Sequence, residues 1–341
     1  MKSMMKDVPH RRGNVCFIVS LRDLFAYRGH EFSEEIVCGL GGISFFYLKF
    51  RRAEPPVQIF PGYLEPRRFY RKVASLTGAA YQYKDGVKWD YAWRKVKENI
   101  DRKMPVIIGP LDMFHLSFAP LPVHAVMHYL LLIGYDDERR EAHLFDSRFE
   151  DAQRIHYDDL EKAWNVEAKG WCRPHAFHLF TIPRDIPPLE DLVVKAIRDT
   201  VKLNLHPPTK SLGVAGERSA ANEIPSWPGL CNREVLLQSL MFTAKMILPE
   251  GFEPQQCGAG RFLYSRFLEA AREHLRAPAL DESASLFVEA GHGWNEVSEI
   301  LERSSTPESE EKLKALLREA ADTISDISNI EERAFRLLDG I

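Results

Sequence analysis

Cys16-Phe17-Ile18-Val19-Ser20-Leu21-Arg22-Asp23-Leu24-Phe25 is the first clearly periodic stretch of the chain, and its reading decides the fold. Phe17, Leu21, Leu24 and Phe25 recur at helical spacing, and Gly29 stands where a left-handed C-terminal cap belongs, so a helix is predicted to open at Cys16. A thiol in the first turn of a helix lies at the positive end of its dipole beside unpaired N–H groups, and both favour the thiolate. Cys16 is thus the cysteine placed to act as a nucleophile. Cys38, Cys172, Cys231 and Cys257 read as small apolar core residues.

Working outward, Ser33 is a predicted N-cap, with Glu34 and Glu35 in the first turn of a short helix that closes at Gly39-Leu40-Gly41-Gly42. Trp89, Ala92, Trp93, Val96 and Ile100 line one face of another helix that stops before Pro105. The period then changes. Residues 105–109, 128–133, 141–145 and 176–182 are short apolar runs bounded by Gly, Pro and Asp, as buried strands are, and residues 134–138 read as a hairpin turn. Beyond Pro183, Pro187 and Pro188 strand signals nearly vanish, and 192–203, 233–247, 261–274, 285–301 and 310–338 read as helices. The expected fold class is α+β: a catalytic domain over residues 1–184, then an all-α domain over 185–341 that covers or completes its cleft.

A cysteine nucleophile needs a base for its proton and a group to hold that base in one tautomer. His128 begins one apolar run and Asp146 ends the next, so pairing of the two strands brings imidazole and carboxylate together.

Composition excludes several other classes. With 341 residues, net charge −4 and no dense basic stretch, nucleic-acid binding is not expected. Five scattered cysteines without a Cys-x-x-Cys pair make no disulfide framework, which suits reduced thiols and a cytoplasmic protein. Basic residues 1–12 lead into no apolar segment with a cleavage site, so they do not read as a secretory signal. The apolar stretch 118–135 carries Pro120, Pro122, His124 and His128, so no membrane span is expected. His124 and His128 are spaced like a helical zinc pair, yet the run after His128 reads as strand and no Glu follows His124; neither a metal nor a bound cofactor is expected.

Gly13-Asn14-Val15-Cys16, Ser20-Leu21-Arg22-Asp23-Leu24, Ser33-Glu34, Gly39-Leu40-Gly41-Gly42, Asp112, the His128 run and Asp146 together resemble the N-terminal domain of the butirosin biosynthesis protein H family, a papain-like, C39-type cysteine domain. Gly258-Ala259-Gly260-Arg261, Tyr264, Phe267-Leu268-Glu269-Ala270 and Trp294 are similar to the helical domain that follows it. The resemblance implies an acyltransferase of antibiotic biosynthesis that moves an acyl group from the phosphopantetheine thioester of an acyl carrier protein to a small-molecule amine. It implies Cys16 as nucleophile, His128 as base and acid, and Asp146 as orienter. Where papain-like enzymes place a Gln before the cysteine, this chain has none; the second oxyanion donor, beside the Cys16 amide, is read as Asn14 or His10. Phe17-Ile18-Val19 is bulkier than the family's usual residues, which reads as a narrowed acyl pocket or a drifted paralogue. Asp112 reads as a structural acceptor or a contact to the substrate amine. Arg261 reads as a contact to the phosphopantetheine phosphate or as a structural salt bridge. The rival functions are a C39-like hydrolase, peptidase or thioesterase, and a non-catalytic binding protein descended from such an enzyme. Water or an amine resolving the acyl-enzyme separates transfer from hydrolysis.

Overall fold

The computed structural model describes residues 1–48, 59–122, 124–167, 172–248 and 253–341. In chain order its elements are β1 (Lys2–Met4), α1 (Cys16–Tyr27), α2 (Glu34–Gly41), β2 (Ile43–Tyr47), β3 (Ile59–Tyr63), α3 (Pro66–Thr77), β4 (Ala80–Lys84), α4 (Trp89–Asp101), β5 (Val106–Asp112), β6 (Val126–Asp136), β7 (Glu141–Phe145), β8 (Gln153–His156), α5 (Tyr157–Trp164) and β9 (Phe177–Thr181), followed by α6 (Leu189–Leu205), α7 (Gly213–Glu223), α8 (Arg233–Ile247), α9 (Arg261–Ala271), α10 (Ala279–Ser305) and α11 (Glu310–Leu338). They fall into two units: Met1–Val37 with Pro66–Pro187, and Cys38–Glu65 with Pro188–Ile341.

The first unit mixes helices with one antiparallel sheet of order β4-β9-β5-β6-β7-β8. β5 is buried throughout and β6 is buried from His128 onward, which is why both show as continuous apolar runs. β4 and β8 keep a polar, partly exposed face, and their period is too weak to announce them. β6 also runs through residues 134–136, read as turn, because β1 pairs with them on the side β5 leaves open: Lys2 faces Asp136 and Met4 faces Gly134. The turn itself begins at Asp137, with the Asp136 carboxylate accepting the Glu138 and Arg139 amides. Trp89 and Trp93 stack at 5.3 Å and pack with Tyr157, placing α4 against α5.

The second unit is helical apart from the antiparallel pair β2 and β3, in which Ile43 faces Tyr63 and Tyr47 faces Ile59. The sequence groups this pair with residues 1–184; in the structure it belongs to the helical unit. A two-stranded pair needs apolar cover. Phe45, Tyr47 and Ile59 find it in one core with Trp227, Trp294 and Leu317, Phe45 stacking on Trp294 at 5.6 Å. Asn204 of α6 also donates to the Ile43 carbonyl. No helix of the described residues is long and apolar enough to cross a membrane.

A chain ended at Arg184 keeps β2 and β3 but loses the helices that bury Phe45, Tyr47 and Ile59. It is expected to aggregate and to bind a hydrophobic dye; a monodisperse, dye-silent product in size-exclusion chromatography contradicts this.

Candidate active site

Cys16 is the first residue of α1, after Val15 in extended conformation, and no side chain caps the helix. Its amide therefore has no intrahelical acceptor. The preceding loop is fixed by α2 instead: the Glu34 carboxylate accepts the amides of Asn14 at 2.9 Å and Val15 at 2.8 Å. Burial pushes Glu34 above the usual carboxyl range, although both amides favour its charge. Gly13 permits this close approach, since a Cβ there would lie 2.5 Å from Val19 and 2.6 Å from Glu34. Its amide donates to the Ser147 carbonyl at 2.9 Å, tying the cysteine loop to the segment after β7.

That segment carries Asp146. Leu131 of β6 pairs with Phe145 of β7, so the residue after Phe145 lies beside the strand position occupied two residues earlier by His128. His128 Nε2 is 2.8 Å from Asp146 Oδ2, and the imidazole is also hydrogen-bonded to the Cys16 thiol, for which Nδ1 is the nitrogen left. Asp146 is fully buried, His128 nearly so and Cys16 partly so. Burial alone would lower the His128 pKa; its charge interaction with Cys16 and its hydrogen bonds to Asp146 and Cys16 outweigh that and raise the value to about 9. Burial likewise opposes the Asp146 charge, but His128 and Arg148 hold its carboxyl well below the usual range.

Arg148 is absent from the sequence reading. Its Nη2 donates to Asp146 Oδ2 at 2.7 Å, its Nε to Oδ1 at 3.1 Å and its backbone amide to Oδ1 at 2.9 Å. This two-pronged grip fixes the carboxylate plane in which His128 Nε2 is met. Asp-x-Arg at the end of a predicted strand is the available signal. Glu34 is the second residue missed, since helix-dipole reasoning explains it without a partner outside its own helix.

The remaining candidates divide. The Asn14 amide N–H is taken by Glu34, while its side-chain amide makes no hydrogen bond among the described residues. His10 has no N–H left for an oxyanion: Nδ1 meets Asp23 Oδ2 at 2.6 Å, Nε2 donates to the Phe149 carbonyl at 2.8 Å, and the ring stacks on Phe145. Burial works against its charge, but Asp23 and the Phe149 carbonyl raise its pKa. The Asp112 carboxylate is buried and accepts from the Phe114 and Ala125 amides and from His124, as the structural-acceptor alternative has it. Arg261 lies in the helical unit, fully buried, and grips Glu331 and Glu217 with side-chain exposures of 1% or less; it cannot meet a phosphate. Phe17, Ile18 and Val19 point into the core, Phe17 against Phe69, Tyr70 and Tyr129, so their bulk fills the interior of the first unit.

These features define a mixed α and antiparallel-β protein in which a half-buried cysteine, a buried histidine and a buried aspartate converge. Residues 15–147 match the family described as Butirosin biosynthesis protein H, N-terminal, and residues 158–338 match a Domain of unknown function (DUF4872). With the two matches spanning most of its length, the chain belongs to the butirosin biosynthesis protein H family. No curated protein matches it.

Proposed function

We propose that this protein is an antibiotic-biosynthesis acyltransferase whose first unit is a papain-like cysteine domain working through an acyl-Cys16 intermediate. The observation that carries the reading is the line Cys16, His128, Asp146, with Nε2 on the carboxylate and the other ring nitrogen available to the thiol. His128 takes the proton of the Cys16 thiol, and its raised pKa suits it to hold that proton. The sulfur attacks the carbonyl of a phosphopantetheine thioester on a carrier protein. The Cys16 amide and the Asn14 side chain receive the oxyanion. Collapse breaks the old C–S bond, and His128 gives its proton to the departing pantetheine thiolate. An amine then attacks acyl-Cys16, His128 takes the amine proton, the new C–N bond stays and the cysteine thiolate leaves. Asp146, gripped by Arg148, holds the ring in one orientation throughout.

The test is intact mass of the full chain after mixing with an acyl-loaded carrier protein. A single acyl adduct is expected, absent in Cys16→Ala and discharged by a polyamine to an amide. Iodoacetamide should label Cys16 before the other four thiols. An adduct that persists in Cys16→Ala overturns the nucleophile; discharge only to free acid makes the enzyme a hydrolase.

A further inference from the structure

We infer that Asp112, His115 and His124 form a binding site for one divalent transition-metal ion of the zinc class. Their ligand atoms all lie within 4.8 Å of one another, the only such trio of His, Cys, Asp or Glu found among the described residues. Asp112, the last residue of β5, caps a single 3-10 turn over Met113–His115. With three residues per turn, positions three apart eclipse, so the carboxylate and the His115 imidazole leave the turn on one side. The chain then loops back: Met113 and Leu121 close the loop by backbone hydrogen bonds, and His124 arrives opposite Asp112.

The carboxylate is already oriented as a ligand. Asp112 Oδ1 is held by the Phe114 amide at 3.1 Å and the Ala125 amide at 3.0 Å, which leaves Oδ2 facing His124 Nδ1 at 2.6 Å. Such outer hydrogen bonds fix metal-binding carboxylates in place. Phe114 lies 4.3 Å from the His124 ring and restricts its rotation. Two imidazoles and one carboxylate are borderline donors suited to zinc or cobalt, with a fourth position left for water. On binding, the proton bridging Nδ1 and Oδ2 moves to Nε2 of the largely exposed His124 ring, and the metal takes its place. Sequence spacing hides the trio, because it pairs His124 with His128, which turns to Asp146 instead. The ion would clasp the loop between β5 and β6, next to the strand pair Leu111 and His128.

The test uses the full chain carrying Cys16→Ser, so that the thiol cannot ligate. After stripping with a chelator, Zn²⁺ is titrated against a chromophoric competitor and Co²⁺ is followed by absorption. One ion per chain is expected, with His115→Ala and His124→Ala each weakening binding by about tenfold or more while circular dichroism stays unchanged. Co²⁺ should give visible bands without a sulfur charge-transfer band. Binding that survives in the folded double variant His115→Ala/His124→Ala, a sulfur charge-transfer band, or no binding by the folded parent overturns the site.

Discussion

Asp146→Asn is expected to slow formation of acyl-Cys16 by on the order of 10⁴-fold, the scale at which a triad imidazole is left in the wrong tautomer. The geometry explains why the amide cannot substitute. Asp146 Oδ2 accepts from His128 and Arg148, and Oδ1 accepts from the Arg148 amide and Nε, so every donor around it needs an oxygen. If the asparagine NH₂ takes the Oδ2 place, it faces the Arg148 guanidinium and demands an unprotonated Nε2, which puts the proton on the sulfur side of the ring. If it takes the Oδ1 place, it meets two Arg148 donors, and the grip loosens. Single-turnover adduct formation by mass, with circular dichroism to check the fold, measures the effect; an unchanged rate moves the orienting role elsewhere. The pair also sets a pH window. His128, raised from 6.5 to about 9, contributes stability that is complete below pH 6.5 and is lost as pH rises through about 9. Asp146, lowered from 3.8, contributes stability that is complete above 3.8 and is lost as pH falls below it. The stability gap between wild type and Asp146→Asn should therefore be widest between those two lower bounds and narrow on either side.

Arg261→Ala is expected to destabilise the helical unit by about 3–5 kcal/mol, because it strands a buried carboxylate. Arg261 Nε and Nη2 meet both Glu331 oxygens at 2.7 and 2.9 Å, Nη1 meets the Ala259 carbonyl, and Trp294 Nε1 donates to Glu331. Glu331 is thus the charged partner. Glu217 is more loosely held at 3.4 Å; burial and the neighbouring Glu331 charge raise its pKa well above 4.5, so it keeps its proton. A carboxyl whose folded pKa is raised binds a proton that the unfolded chain has lost, so its contribution falls as pH rises above 4.5. Glu217→Gln should accordingly cost little and flatten that slope, whereas Glu331→Gln should cost several-fold more. Urea denaturation at two pH values checks all three. Equal losses for the two glutamates would show the charge to be shared between them.

Legibility in the sequence followed burial and locality. Cys16 at a helix start is a local pattern, and the approach of His128 to Asp146 is suggested by their places on neighbouring strands, whereas the link from that pair to the distant Cys16 comes from the family resemblance. β5, β6 and the long helices announce themselves because their faces are deeply buried. Edge strands β4 and β8, the three-residue β1 and the pair β2–β3 do not, since their form depends on partners distant in the chain. The charged residues illustrate the same limit. His10 and Arg261 each carry a group able to reach a ligand, yet each is occupied within the protein by a partner that residue type alone does not reveal. Arg148 is the converse: an ordinary surface arginine by composition, it owes its place at Asp146 to a turn two residues long.

The interleaving of the two units has a temporal side. Cys38–Glu65 leaves the ribosome well before Pro188–Ile341, the segment with which it packs. At roughly 5–20 residues per second, the final helix follows Glu65 by on the order of fifteen seconds to a minute. During that interval the first unit has its whole sequence available while Phe45, Tyr47 and Ile59 have no helical core to enter. The nascent chain therefore presents a strand edge and an aromatic cluster from its middle, an opening for chaperones and for misassembly between neighbouring chains on one message. Yield in a foreign host should depend on translation speed beyond Pro188 more than on any property of the finished protein.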